Sequence, residues 1–371
     1  MRMHKVARMP RRNAGFTLVE LMVAITLSLF LMIGLIALIV STVTSRSELD
    51  KSSRLLENGR YAIQLLTEDI QLAGFIGQTT STSFNIAVPV ACPSTVAELG
   101  YAAATLPTVS TIPLALYSVS ATPVPPTCIG SISNLMSNTA MLIVTRVSTA
   151  AVAPSTLAAA ETYLQVSTCA TDKEPFVVAS GSASNFDRKT KDCASTKLAP
   201  IRKVVQHLYF VSTCNVCGTD TTPTLKMAEY VNGAMLAEPT ALVEGIENLQ
   251  FDYGVDTDGN GSPDCYTSNP ASPPVTEATT QPATEVAAAV CTNPSPPYDW
   301  SVPATNWANV MSVRVHVLAR NTESSAGWTD ARTYNMGLAY PAIAATNDRF
   351  KRHVYSAVVR LNNGSGQRET P

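Results

Sequence analysis

Between Asp256 and Asp264 the chain reads Asp, Thr, Asp, Gly, Asn, Gly, Ser, Pro, Asp. Oxygen-bearing side chains fall at positions one, three, five and nine, with Gly261 at six, the spacing by which a tight turn converges hard ligands on calcium. Asp256, Asp258, Asn260, Ser262 and Asp264 are therefore candidate Ca2+ ligands. A complete calcium loop of this kind has a bidentate glutamate at position twelve, where Thr267 stands, and a helix after it, for which there is no pattern. That departure predicts weak affinity, or a shell completed by a distant carboxylate. The alternative reading is an acidic, glycine-rich hairpin turn, which these residues favour without metal.

A second set of reactive side chains is the cysteines: Cys92, Cys128, Cys169, Cys193, Cys214, Cys217, Cys265 and Cys291. An even count in an oxidising compartment reads as disulfides. Sequence leaves on the order of 100 pairings. Pairing neighbours in order is the reading adopted, because each such pair brackets a loop rich in Pro, Ser or Thr, and closing Cys265 to Cys291 adds roughly 3 kcal/mol in the chain-entropy model. Cys214 and Cys217 form a CxxC, which elsewhere carries redox or zinc chemistry. A structural bridge is preferred, since no second CxxC completes a four-sulfur site and His207 lies on the preceding strand-like run, as a surface or sheet residue.

A third constellation is at the N-terminus. Gly15 and Phe16 follow the basic leader MRMHKVARMPRRNAG and open an apolar run to Val40 that is broken by one acid, Glu20. A secretory signal places its small residue after the apolar stretch, which is then discarded. Here Gly15 precedes it, so cleavage between Gly15 and Phe16 leaves the apolar helix as the mature N-terminus. About 25 residues at ~1.5 Å each span ~37 Å, enough for a hydrocarbon core of ~30 Å. Arg2, Lys5, Arg8, Arg11 and Arg12 hold the leader in the cytoplasm and send the rest across the inner membrane. A carboxylate in lipid costs roughly 2.5–3.5 kcal/mol and needs a partner. The new α-amino group on Phe16, of its own chain or a neighbour's, supplies one.

The segment GFTLVELMVAITLSLFLM resembles the class III signal of type IV pilins and pseudopilins. The resemblance implies that prepilin peptidase recognises Gly15, that Phe16 becomes an N-methylated first residue, and that Glu20 is the assembly glutamate. Three further stretches are similar to the PilW family of minor pilins: LLENGRYAIQLLTEDIQLAGF from Leu55, LVEGIENLQFDYGVDTDGNGSPD from Leu242 and RFKRHVYSAVVRLNN from Arg349. The middle of the chain is unmatched. The resemblance implies a pilin-like α+β fold, with a long N-terminal helix on an antiparallel sheet domain that carries long, disulfide-braced loops. It also implies a place at or near the tip of a type IV pilus, where the protein helps start assembly and presents an adhesin. Its partners would be other minor pilins, the major pilin, a tip adhesin, prepilin peptidase and the inner-membrane assembly platform. A type II secretion pseudopilin and a membrane-anchored periplasmic binding protein are the alternatives.

Four segments must position these groups: the leader at 1–15, a membrane and assembly half-helix at 16–40, an amphipathic half at 41–75, and a β-rich periplasmic domain at 76–371. In the amphipathic half, Leu49, Leu56, Ile63 and Ile70 recur every seven residues beside Leu66 and Ala73. Arg46, Glu48, Asp50, Lys51, Arg54, Glu57, Arg60, Glu68 and Asp69 decorate other faces. A helix from Phe16 to about Gly74 would be ~90 Å long, more than one domain needs for its core. Gly59, in its middle, marks close packing, a bend or a tolerated glycine.

Met141–Val147, Phe176–Ala179, Val204–Val211, Leu225–Val231, Gly245–Tyr253, Val310–Ala319 and His353–Leu361 read as strands. Met311, Val313, Val315 and Val317 alternate with Ser312, Arg314 and His316, the pattern of one buried and one wet face. With no helices between most strands, antiparallel pairing is expected, and 78–128 and 262–303 read as long loops. Removing the five leader cations from 26 leaves 21 against 28 acids, a charge near −7, which argues against nucleic-acid binding. His207, His316 and His353 lie in strand-like runs without a GxSxG or HExxH motif, and Trp300, Trp307 and Trp328 read as local packing, so catalysis finds no support.

Overall fold

The computed structural model describes residues 15, 17–79, 83–105, 108–271, 291, 298–340, 342–366 and 368. Leader residues 1–14 and Phe16 lie outside them. Helix α1 runs without interruption over Leu18–Leu72. The chain forms two compact units, and the division, between Lys51 and Ser52, falls within this helix.

In the first unit the large apolar side chains from Leu18 to Val43 are exposed. The hydroxyls of Thr26, Ser28, Thr42 and Thr44, on this stretch and just beyond it, donate back to carbonyls of the preceding turn at 2.8–3.0 Å. Such a helix satisfies its own polar groups, as a hydrocarbon environment requires.

In the second unit, the helix buries Leu55, Gly59, Ala62, Leu66, Asp69 and Ile70, with Ala73 just beyond its end. This stripe advances by alternate steps of four and three. It keeps the expected period of seven but falls on different residues: Leu49 and Leu56 are 69% and 45% exposed.

Fourteen strands follow among the described residues. β1 (Asn85–Ala87) and β2 (Thr111–Pro113) pair in parallel, against the antiparallel expectation, and with β3 (Leu116–Ser120) they lie in the stretch expected to be a loop. β4 (Ala140–Val147), β5 (Thr162–Val166), β6 (Phe176–Ser180), β7 (Ile201–Ser212), β8 (Thr224–Val231), β9 (Ala234–Met235) and β10 (Thr240–Glu244) join β3 in an eight-stranded sheet, ordered β10-β8-β7-β4-β3 with β5, β6 and β9 to the side. A four-stranded sheet, β12-β11-β13-β14, is built from β11 (Ile246–Val255), β12 (Cys265–Thr267), β13 (Val310–Arg320) and β14 (Arg352–Arg360). Both sheets are antiparallel throughout. Short helices α2 (Pro303–Ala308) and α3 (Asn362–Ser365) flank β13 and β14.

One core joins the two sheets to the buried stripe of α1, with Leu66 and Ile70 in the same cluster as Leu208, Phe210, Phe251, Val313, Val315 and Val317. Trp307 packs into it, its ring 4.7 Å from that of Tyr253. Disulfides join Cys92 to Cys128, Cys169 to Cys193, Cys214 to Cys217 and Cys265 to Cys291, each neighbour in order.

The expected wet face of β13 is not wet. Ser312 and His316 are 4% and 5% exposed: the Tyr266 hydroxyl of β12 lies 2.9 Å from the Ser312 hydroxyl, and the segment after β13 folds over His316. Leu338 donates its N–H to Asp252 Oδ1 at 2.9 Å. Gly337, at φ 91°, lies so close to Asp252 and His316 that a Cβ there would collide with both. Arg352 ties this cover down: its buried guanidinium reaches Glu247, Asp330 at 3.1 Å and Asp348 at 2.7 Å. Three carboxylates around one cation repay the removal of that charge from water.

Candidate functional site

The N-terminal constellation begins with Gly15, which is exposed, and Thr17. Glu20 Oε2 accepts the Thr17 backbone N–H and its hydroxyl, both at 3.0 Å, and the Thr17 hydroxyl oxygen accepts the Glu20 N–H at 3.3 Å. This reciprocal cap satisfies two donors that the first turn of α1 otherwise leaves unmet. The signal was in the sequence as T-x-x-E ahead of an apolar run, and it was missed because Glu20 was read only as a charge seeking a cation. Between Thr17 and Ser45, Glu20 is the only charged residue.

Further along, α1 is seated on the sheets by a carboxylate that the pattern had placed on an outer face. Asp69 is 6% exposed. Its Oδ1 accepts from Arg146 Nε on β4 at 2.7 Å; its Oδ2 accepts from the Tyr209 hydroxyl on β7 at 2.9 Å and lies 2.7 Å from His207 Nδ1. Burial pushes the Asp69 carboxyl up, but the His207 contact and then Arg146 outweigh it and hold it at about 2. His207, read as a surface or sheet residue, is on the sheet and is paired with the helix. Above it, Asn58 Nδ2 donates to the Glu244 carbonyl at 3.0 Å, and the Tyr355 hydroxyl reaches the Leu55 carbonyl at 3.4 Å. Gly59 resolves into close packing: a Cβ there would overlap the Tyr355 ring. At the helix end, Asn363 Nδ2 donates to the Ala73 and Leu72 carbonyls at 3.0 and 3.3 Å, which caps groups the last turn leaves free.

In the Asp256 loop, single oxygens of Asp256, Asp258 and Asp264 come within 4.8 Å of one another. Asp256, 1% exposed, uses Oδ1 to accept the Gly259 and Asn260 N–H groups at 2.7 and 3.2 Å. Its Oδ2 accepts the Gly261 N–H at 3.0 Å and Arg368 Nη1 at 3.2 Å. Burial pushes its carboxyl up, but the Gly261 and Gly259 donors and Arg368 outweigh this and leave it below the usual range. Asp258 and Asp264 accept from Asn260 and Thr257, and Asn260 Oδ1 accepts the Ser262 N–H at 2.8 Å. Thus the oxygens assigned to calcium close a hydrogen-bonded turn, with a guanidinium beside the deepest one.

Ser356, His316 and Asp252 form a row across β14, β13 and β11, with Ser356 Oγ 2.8 Å from His316 Nδ1 and His316 Nε2 3.1 Å from Asp252 Oδ2. The order is that of nucleophile, base and orienting acid. Neither the cavity of about 330 Å³ beside Gly74 and Trp307 nor that of about 270 Å³ beside Tyr334 and Arg352 is lined by any of the three. The row is therefore sheet hydrogen bonding without a substrate seat in those cavities.

Residues 10–42 match the model of the prokaryotic N-terminal methylation motif. Residues 208–363, from the middle of β7 through β14, match that of the type IV pilus-assembly protein W family, PilW. Among solved structures, a type IV-like pilin from Thermus thermophilus is similar at 11% identity and a TM-score of 0.34, covering 84% of this chain and 98% of its own. No curated protein matches. The chain thus carries a methylation-type motif at the start of an exposed apolar helix and, over residues 208–363, a region similar to the PilW type IV pilus-assembly proteins.

Proposed function

We propose that the subunit is cut after Gly15, is held in the inner membrane by the apolar part of α1, and is then built in at or near the tip of a type IV pilus. There it helps initiate assembly and presents a tip adhesin, beside other minor pilins and the major pilin. The observation that carries this reading is the exposed apolar length of α1 with Glu20 as its only charge before Arg46. Such a surface is soluble only in lipid or among like helices, and a lone carboxylate there selects for a neighbour that brings a cation in register. Once Phe16 is the first residue, its α-amino group is that cation.

The test is Glu20→Ala in the native host, with five readouts: the N-terminal residue by mass spectrometry, the amount in the inner membrane, association with other minor pilins, piliation and protein secretion. Normal cleavage and membrane level with lost pili, or with lost association with other minor pilins, is the expected result. Normal piliation with normal protein secretion refutes the assembly role and favours a membrane-anchored periplasmic binding protein. Intact pili with failed protein secretion assigns the subunit to a type II secretion pseudopilus.

A further inference from the structure

Cys214 and Cys217 are three residues apart, whereas the other bridges span 36, 24 and 26. The chain entropy removed by a crosslink grows with the loop it closes, so this bridge contributes least to holding the fold. It is also the most open to attack. Cys217 is exposed and Cys214 is 4% exposed; in the other pairs every cysteine is buried except Cys193, which is half-buried.

The surroundings suit sulfur chemistry. Lys226 Nζ, from β8, lies 3.7 Å from Cys217 Sγ. Around Cys214 Sγ stand the hydroxyls of Ser212 at 3.6 Å and Thr213 at 3.8 Å. The turn between the cysteines does not depend on the bridge: the Asp220 carboxylate accepts the N–H groups of Asn215 at 2.9 Å, Val216 at 2.6 Å and Thr222 at 2.9 Å. After reduction, both thiols would stay side by side, poised to close again.

We propose that Cys214–Cys217 is a thiol-exchange site whose substrate is an external thiol. An incoming thiolate attacks the exposed Cys217 Sγ, the Cys214–Cys217 bond breaks, and Cys214 leaves as a thiolate that accepts from the Ser212 hydroxyl. A second thiolate attacks the sulfur of the bound thiol, and Cys217 leaves as a thiolate beside Lys226. The protein takes up two electrons and two protons as a dithiol, while the two external thiols become one disulfide. Lys226 stabilises negative charge at Cys217 in both directions.

The experiment uses the full chain, folded in detergent micelles and exposed to excess reduced glutathione, with quenching by N-ethylmaleimide and peptide mass spectrometry. Cys214 and Cys217 are expected to take label while the other six cysteines remain paired, and the glutathione adduct is expected on Cys217. Lys226→Ala is expected to slow exchange about fivefold, the order of one nearby charge in a wet site, with unchanged circular dichroism. Opening of all four bridges together, absence of label at every bridge, an adduct on Cys214, or an unchanged rate in Lys226→Ala overturns the proposal.

Discussion

Replacing Asp69 by Asn keeps the shape of the side chain and removes its charge, which isolates the ionic part of the seat beneath α1. The carboxyl is held at about 2, from an ordinary 3.8. At ~1.4 kcal/mol per unit, ionisation of this one group contributes about 2 kcal/mol to folding at neutral pH. The loss rises toward ~4 kcal/mol once the stranded charge of Arg146, whose side chain is 15% exposed, is counted. The sign follows from the depressed value. The contribution is fully present above pH ~4 and disappears as pH falls through about 2, because the unfolded chain binds the proton first. Urea unfolding followed by tryptophan fluorescence, with Trp300 and Trp307 in the core as reporters, measures this. Asp69→Asn should be less stable than the parent by about 2–4 kcal/mol at pH 7, and the difference should shrink by about 2 kcal/mol between pH 5 and pH 2. Equal stability at pH 7, or a gap that does not narrow in acid, would show that the carboxylate is not what seats the helix.

Two further perturbations follow from the same geometry. Gly59→Ala gains up to ~1 kcal/mol of helix propensity, but its Cβ meets the Tyr355 ring, and overpacking costs ~1–3 kcal/mol; thermal melts should show net destabilisation that Tyr355→Ala in the same chain relieves, and a stabilised Gly59→Ala would refute the close contact. Calcium at the Asp256 loop has to compete with Arg368, so Arg368→Ala should raise calcium affinity in calorimetry, and no heat in either protein at millimolar calcium removes that ion from the loop.

How much of this was legible depended on whether a residue's role is local. The strands β4, β6, β7, β8, β11, β13 and β14 each carry enough β-branched and alternating residues to be found within about three positions of their ends, β7 being the one whose start lies furthest out, at Ile201 against an expected Val204. β1, β2 and β12 are three residues long and owe their pairing to neighbours that the sequence does not bring together. Asp69 shows the limit most clearly. In a helical stretch rich in charge it is indistinguishable from Glu68, and only the arrival of Arg146, His207 and Tyr209 from strands 77 to 140 positions away makes burial tolerable. His316 failed similarly, since alternation describes one sheet face, and the segment that covers the other is irregular. At the N-terminus all the information was local, and even there the cap between Thr17 and Glu20 was legible.

The tether between the Tyr355 hydroxyl and the Leu55 carbonyl joins residues 300 positions apart, and the one from Asn363 to Ala73 spans 290. A ribosome delivers the helix first and β14 last. Through nearly the whole of synthesis, therefore, the inner stripe of α1 has no finished surface to settle on, and closing so large a loop is the slow kind of folding step. A truncation that removes only the last twenty or so residues strips away β14 and both tethers, and leaves the helix held to the sheet by the Asp69 and Asn58 contacts.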